Sequence, residues 1–239
     1  MITTKTIEDF YIKIKGNRWY WLFSIFCRIT LANAFIVAGI VKIVGERFAN
    51  GLSELHPMGA YLEALHHTGY YYTFIGIAQV LAAILLIIPR TVVLGALLYL
   101  PIIVNIWLLS YAVRFEGSIV TSPLMVLANL YLLAWNYDRL RFLLPLKEFS
   151  NIGIIEKPSK YNTKFPFLFF SGVTIVVVLT VLFARFGFEA MPRNSMADCK
   201  KQFVNTENQA AGFEFCACIH EEGHPLDDCL EEFKQAKTK

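Results

Sequence analysis

Charge is scarce in this sequence. Asp, Glu, Lys and Arg make up 17% of its 239 residues, where soluble domains carry about a quarter. With 56% hydrophobic residues and a mean hydropathy of +0.48, the chain holds more apolar surface than one soluble core of this length can bury. That excludes a soluble enzyme, and it equally excludes a disordered chain, which needs low hydrophobicity and high net charge. The 14 glycines and 9 prolines follow no three-residue period, so a collagen-like fibre is excluded as well. The net charge of +3 contains no basic run, and no nucleic-acid partner is expected. There is no Gly-rich phosphate loop, no nucleophile elbow, no His-Glu-x-x-His and no carboxylate pair within an apolar stretch. What is left is an all-α integral membrane protein.

A membrane helix needs about 20 apolar residues. The stretches Trp19 to Val44, Ala64 to Pro89, Thr91 to Val113, Gly117 to Tyr137 and Phe165 to Ala184 qualify, and lipid forces each to be helical because it offers backbone polar groups no partner. Basic residues set the orientation. Lys5, Lys13, Lys15, Arg18, Arg90, Arg139, Arg141, Lys147, Lys157, Lys160 and Lys164 flank one side, and only Arg47 and Arg114 lie in the short loops of the other. This predicts a cytoplasmic N-terminal arm (1–18) and a four-span bundle (19–137) with an outer amphipathic loop (46–63). A cytoplasmic linker (138–164), a fifth span (165–187) and a tail outside (188–239) follow. Ala32-Asn33-Ala34 has the look of a cleavage site, but Arg28 interrupts the apolar run before it and the run continues past it, so the first span reads as a retained helix. The outer loop spaces Phe48, Leu52, Leu55, Met58, Tyr61, Leu62 and Leu65 as a helix around Pro57, which suits the membrane surface.

Polar groups within the spans are the candidate ligand-binding residues. Arg28 lies well inside the first span with no acid in any of them. An intramembrane cation is costly and marks a functional site by default. Arg28, Phe35, Gly39, Lys42 and Glu46 fall on one stripe of that helix, so Lys42 and Glu46 can pair. Gln79, Asn105 and Asn129 are the polar side chains near the middle of the next three spans. They either bond helices together or share with Arg28 a polar chamber for an anionic or carbonyl-bearing ligand such as a quinone head group. Cys27 reads as a buried apolar residue, and His66 and His67 as interfacial.

Cys27-Arg28-Ile29, Ala38-Gly39-Ile40-Val41-Lys42, Ile75-Gly76-Ile77-Ala78-Gln79-Val80-Leu81 and Pro89-Arg90-Thr91, together with the amphipathic loop, resemble the DoxX family of small bacterial membrane proteins over residues 19 to 146. The resemblance implies a four-helix bundle in the bacterial inner membrane, linked to respiratory or thiol redox systems. Distant relatives act as membrane chaperones or cargo receptors. Family members commonly carry a glutamate where this chain has Gln79, which removes a counter-ion for Arg28. The fifth span and the tail lie beyond the resemblance.

Four of the five cysteines lie in the tail: Cys199, Cys216, Cys218 and Cys229. An even number in a short exported segment reads as disulfides. Direct bridging of Cys216 to Cys218 is sterically poor, so each is expected to pair with an outer cysteine, in either order. The result is a small stapled helical unit. The alternatives are a Cys/His metal site using His220 and His224, against which Gly223 and Pro225 weigh, and a thiol-exchanging Cys-x-Cys pair. No resident metal and no firm cofactor are expected. The function anticipated is a non-catalytic accessory or scaffolding subunit of a membrane redox complex with a membrane or periplasmic protein partner. A quinone-linked thiol oxidoreductase and a membrane chaperone or assembly factor are the alternatives.

Overall fold

The computed structural model describes residues 4–143 and 158–237. It is 72% helix, and no strand occurs among the described residues. In chain order the helices are α1 (Thr4–Lys15), α2 (Arg18–Val44), α3 (Pro57–His66), α4 (Tyr70–Ile87), α5 (Val92–Ala112), α6 (Thr121–Trp135), α7 (Tyr137–Leu140) and α8 (Phe167–Phe186). Then follow α9 (Met196–Lys201), α10 (Gln209–Ala217), which runs into a wide π turn at Cys218–Glu222, and α11 (Leu226–Lys237). Four helices, α2, α4, α5 and α8, are long and apolar enough to cross a membrane. The predicted fourth span is shorter than expected. Its helix α6 has 15 residues, about 22 Å at 1.5 Å per residue, because residues 115–120 turn before it starts.

Local chemistry sets the boundaries. The Asn17 side chain accepts from the Trp19 amide at 2.8 Å and starts α2. Gly45, at φ +87°, ends it, and the amides of Gly45 and Glu46 turn back to the carbonyls of Lys42 and Val41. Pro57 opens α3, where its missing N–H is no loss, and the N-cap His56 accepts from the Met58 amide through Nδ1 at 3.1 Å.

Helices α2, α4, α5 and α6 form an up-and-down bundle around Leu31, Phe35, Leu86, Ala96, Tyr99, Ile103 and Leu132. Phe35 stacks on Tyr99 with ring centroids 3.5 Å apart, and the Tyr99 hydroxyl donates to the Leu31 carbonyl at 3.3 Å. The backbones of α2 and α4 approach closely at Gly39 and Gly76. A Cβ on either would lie 2.7 Å from the carbonyl oxygen of the other.

At one end of the bundle, Asp138 is almost fully buried and pairs with Lys15 at 3.2 Å. Burial holds the Lys15 ammonium below the ordinary lysine range, although Asp138 pulls the other way. The end of the linker is tied to the same place. The Arg18 amide donates to the Asn162 carbonyl at 3.0 Å, and the Asn17 side chain to the Lys164 carbonyl at 2.8 Å. Residues 144–157 of the predicted linker, with Pro145, Lys147 and Lys157, lie outside the described residues.

Helix α8 touches the bundle at its two ends. Phe165, Phe169 and Phe170 pack among Trp19, Tyr20, Phe23 and Tyr131, and Phe183 stacks on Tyr111 at 5.9 Å. Between these contacts Thr174 to Leu179 are exposed all round.

The other end departs from expectation in two ways. Part of the segment before α4 packs on protein: Leu52, Met58 and Leu62 are buried under Phe48, Leu109, Val113 and Phe115, so this part of its apolar stripe caps the bundle, while Leu55 and Tyr61 stay exposed. The second span also starts later than predicted, at Tyr70, because Gly69 (φ +61°) breaks the chain between α3 and α4.

Candidate functional site

The polar residues singled out in the spans do not converge. Arg28 finds its partners in backbone, donating through Nε to the Leu86 carbonyl at 2.8 Å and through Nη2 to that of Ile87. These are orphan carbonyls at the C-terminus of α4, where a cation also meets the negative end of the helix dipole. Gln79 is buried and packs near Gly39, about 16 Å along α2 from Arg28 at 1.5 Å per residue. Asn129 is buried in a different seam, donating to the Ala96 carbonyl of α5 at 2.9 Å. Asn105 is exposed on the outside of the bundle. In place of the expected chamber there are a helix cap at Arg28, one interhelical amide at Asn129, one buried amide at Gln79 whose oxygen has no hydrogen-bond partner among the described residues, and one outward-facing amide at Asn105.

Lys42 does not pair with Glu46, which is exposed. Its ammonium turns inward, donates to the Ala38 carbonyl at 3.0 Å and sits 4.5 Å from the Phe48 ring centroid and 5.8 Å from that of Tyr72. A weakly solvated ammonium gains from aromatic faces. The stripe on α2 carries no sign of this, because both rings come from outside that helix. The Tyr72 hydroxyl fixes the arrangement, donating to the Glu46 carbonyl at 2.9 Å and accepting from the Phe48 amide at 2.8 Å.

All four tail cysteines are joined. The sulfurs of Cys199 and Cys216 lie 2.04 Å apart and those of Cys218 and Cys229 lie 1.94 Å apart, so of the two orders open to the sequence the structure has this one. The four residues are at most 3% exposed, packed with Phe203, Phe215, Ile219 and Phe233. His220 is held by the Pro192 carbonyl at 2.7 Å, and His224 is exposed beside Glu222. With their sulfurs paired, these four cysteines offer no thiolate to a metal. Cys27 is free and buried, as expected.

The tail domain docks on the capped end of the bundle. Arg114 donates to the Ala190 carbonyl at 2.7 Å, Arg193 pairs with Glu116 at 2.8 Å, and the Leu55 side chain fills the space at Gly223. The rings of His56 and His220 lie 5.9 Å apart, tilted by 46°. Beside this seam a cleft of about 370 Å³ opens between α8 and the lead into the tail, bordered by Glu116, Val181, Ala184, Arg185, Met191 and Arg193.

His56 ties docking to pH. Burial, with a smaller contribution from His220, pushes its pKa down to about 4 while the Arg193 backbone pulls weakly upward. A histidine kept neutral when folded titrates near 6.5 when exposed, so the part of this burial that the tail supplies is stability that docking loses as pH falls from about 6.5 to about 4. Proteolysis of the detergent-purified protein should accelerate in the tail over that window. His56→Asn, which keeps a cap acceptor for the Met58 amide and cannot titrate, should flatten the profile. An unchanged profile in His56→Asn would rule this histidine out.

No protein-family model matches the chain, and no solved structure does. Over 121 residues it is 37% identical to the uncharacterized protein YwoB of Bacillus subtilis (strain 168), a region covering 48% of this chain and 77% of that protein. At that identity and coverage, the chain belongs to the same family as YwoB.

Proposed function

We propose that this protein is a DoxX-like, multi-pass protein of the bacterial inner membrane that acts as a non-catalytic scaffold. It holds a small disulfide-stapled domain in fixed position at the outer membrane face, for an exported or membrane partner in a redox complex. The docking seam carries this reading: Arg114, Glu116, Leu55 and His56 of the bundle end each meet the tail, so the domain is presented rigidly and does not trail from α8. The buried disulfides support a structural role over thiol exchange, which needs an accessible sulfur.

The orientation rests on charge and redox chemistry. Lys13, Lys15, Arg18, Arg90, Arg139, Arg141, Lys160 and Lys164 belong to the α1 end by sequence, matching the positive-inside rule. Disulfides belong in an oxidising compartment, which puts the tail end outside and gives α2, α4, α5, α6 and α8 one crossing each.

Two measurements test the reading. In a variant with Cys27 replaced and single reporter cysteines added outside the tail bridges, Asn50 should label from outside in intact cells and Ser150 only after permeabilisation. Labelling of Ser150 in intact cells overturns the topology. The protein purified from native membranes should then carry a stoichiometric partner polypeptide that is lost on removal of residues 188–239. If the purified protein instead passes electrons from a dithiol to a soluble quinone, the oxidoreductase reading replaces the scaffold.

A further inference from the structure

We propose that Glu63, His66 and His67 form a binding site for a zinc-class divalent metal ion at the junction of α3 and α2. Positions i, i+3 and i+4 of a helix share one face, and one ligand-capable atom from each of these three residues lies within 4.8 Å of the other two. A tetrahedral zinc site with bonds of 2.0–2.1 Å brings its ligand atoms to about 3.4 Å apart, a closure that side-chain rotation supplies.

The surroundings prepare each ligand. Glu63 is split in function. Its Oε2 is held by Arg47 Nε at 3.1 Å, and its Oε1 faces His67 Nε2 at 3.3 Å, so one oxygen is anchored and the other faces the site. His66 Nε2 lies 3.0 Å from the Gly45 carbonyl. With the proton on that nitrogen, the lone pair available to a metal is on Nδ1. A backbone carbonyl fixing the tautomer of a ligating histidine is the usual supporting contact of a metal site. The His66 ring is further positioned edge-on against Tyr72 at 5.3 Å.

The backbone field also favours a cation. α2 ends at Val44 with Gly45 as its cap, and α3 ends at His66 with His67 as its cap. Two helix C-termini, each bearing about half a negative charge, therefore meet at one place. Arg47 opposes them, but it is already paired with the carboxylate. Two histidines and one carboxylate leave at least one coordination position free, and the His67 side chain is 72% exposed, so that position opens to solvent. The ion would bind on the last turn of α3, on the His66 side that packs against Tyr72. In the sequence both histidines read as interfacial, because nothing there brings Gly45 to His66.

The test uses the full chain purified in detergent and stripped with chelator, titrated with zinc against a chromophoric zinc indicator. One equivalent should bind. His67→Ala, at an exposed position whose loss leaves the fold intact, and Glu63→Gln should each weaken binding about tenfold or more, the least expected when a ligand is removed given that even supporting contacts are worth 10–100-fold. His224→Ala in the tail should bind like the parent. Cobalt(II) in place of zinc should give a visible absorption band that disappears in His67→Ala. The proposal is overturned if the parent takes up no zinc, if His67→Ala and Glu63→Gln bind as well as the parent, or if His224→Ala is the variant that loses it.

Discussion

Serine at both Cys218 and Cys229 is expected to leave the tail open to trypsin while the apolar helices stay protected. That bridge closes a sequence separation of 11 residues and the other a separation of 17, and a loop of about 15 residues is worth about 3 kcal/mol in the chain-entropy account. The core beneath them is small, centred on Phe203, Phe215, Ile219 and Phe233, and a segment of this size cannot hold a fold without staples. The replacement also buries two hydroxyls where sulfurs now lie almost fully enclosed, a further penalty. Lys201 and Lys234 are exposed on the tail surface, so loosening around them should give early cleavage there. Protease resistance equal to the parent would mean that docking on the bundle, and not the bridges, holds the domain together.

The second large effect lies at the closest helix pair. In Gly39→Val the first carbon alone would meet the Gly76 carbonyl oxygen and Val80 Cγ2 at 2.7 Å. Backbone cannot yield as a flexible side-chain end can. Overpacking in a tight core costs about 1–3 kcal/mol, and prying α2 from α4 would in addition strip packing from Phe35, Ala82 and Ala83. We expect Gly39→Val either not to accumulate in membranes or to melt far below the parent by fluorescence-detected gel filtration. Gly172→Val in α8 is the matched control, since a Cβ there meets nothing within 4 Å. Equal melting of the two variants would show that the α2–α4 approach is not tight.

Hydropathy made the long helices legible because an uncharged run of membrane length has few other fates. It could not show that the stretch before α4 is roofed by Phe48, Leu109 and Phe115, since a helical apolar stripe looks the same whether lipid or protein covers it. The partners of Arg28 were hidden for a different reason. They are backbone carbonyls of Leu86 and Ile87, and every residue owns a carbonyl. For Lys42, Glu46 is the partner near in sequence, whereas Phe48 comes over its ammonium only after the chain turns at Gly45, and Tyr72 only once α2 and α4 pack. Pairing of Cys216 and Cys218 with outer cysteines followed from sterics alone. Which outer cysteine each takes depends on α9, α10 and α11 folding back on one another, and no spacing rule contains that. The uneven fate of Gln79, Asn105 and Asn129 has the same origin. Mid-helix depth is readable from the sequence, but rotation about the helix axis is fixed by neighbours.

The fastening of α8 by aromatic residues at its two ends has a mechanical consequence. Its 20 residues reach about 30 Å, the thickness of a typical hydrocarbon core. Pinned at both ends and ungripped only from Thr174 to Leu179, the helix cannot re-tilt on its own. In a bilayer thinner or thicker than its length, the mismatch, at fractions of a kcal/mol per Å, would fall on α8 and the bundle together. The tail domain, held on the bundle by Arg114 and Glu116, would then move as one body with both, and the connection through Gly187 and Phe188 would stay unloaded.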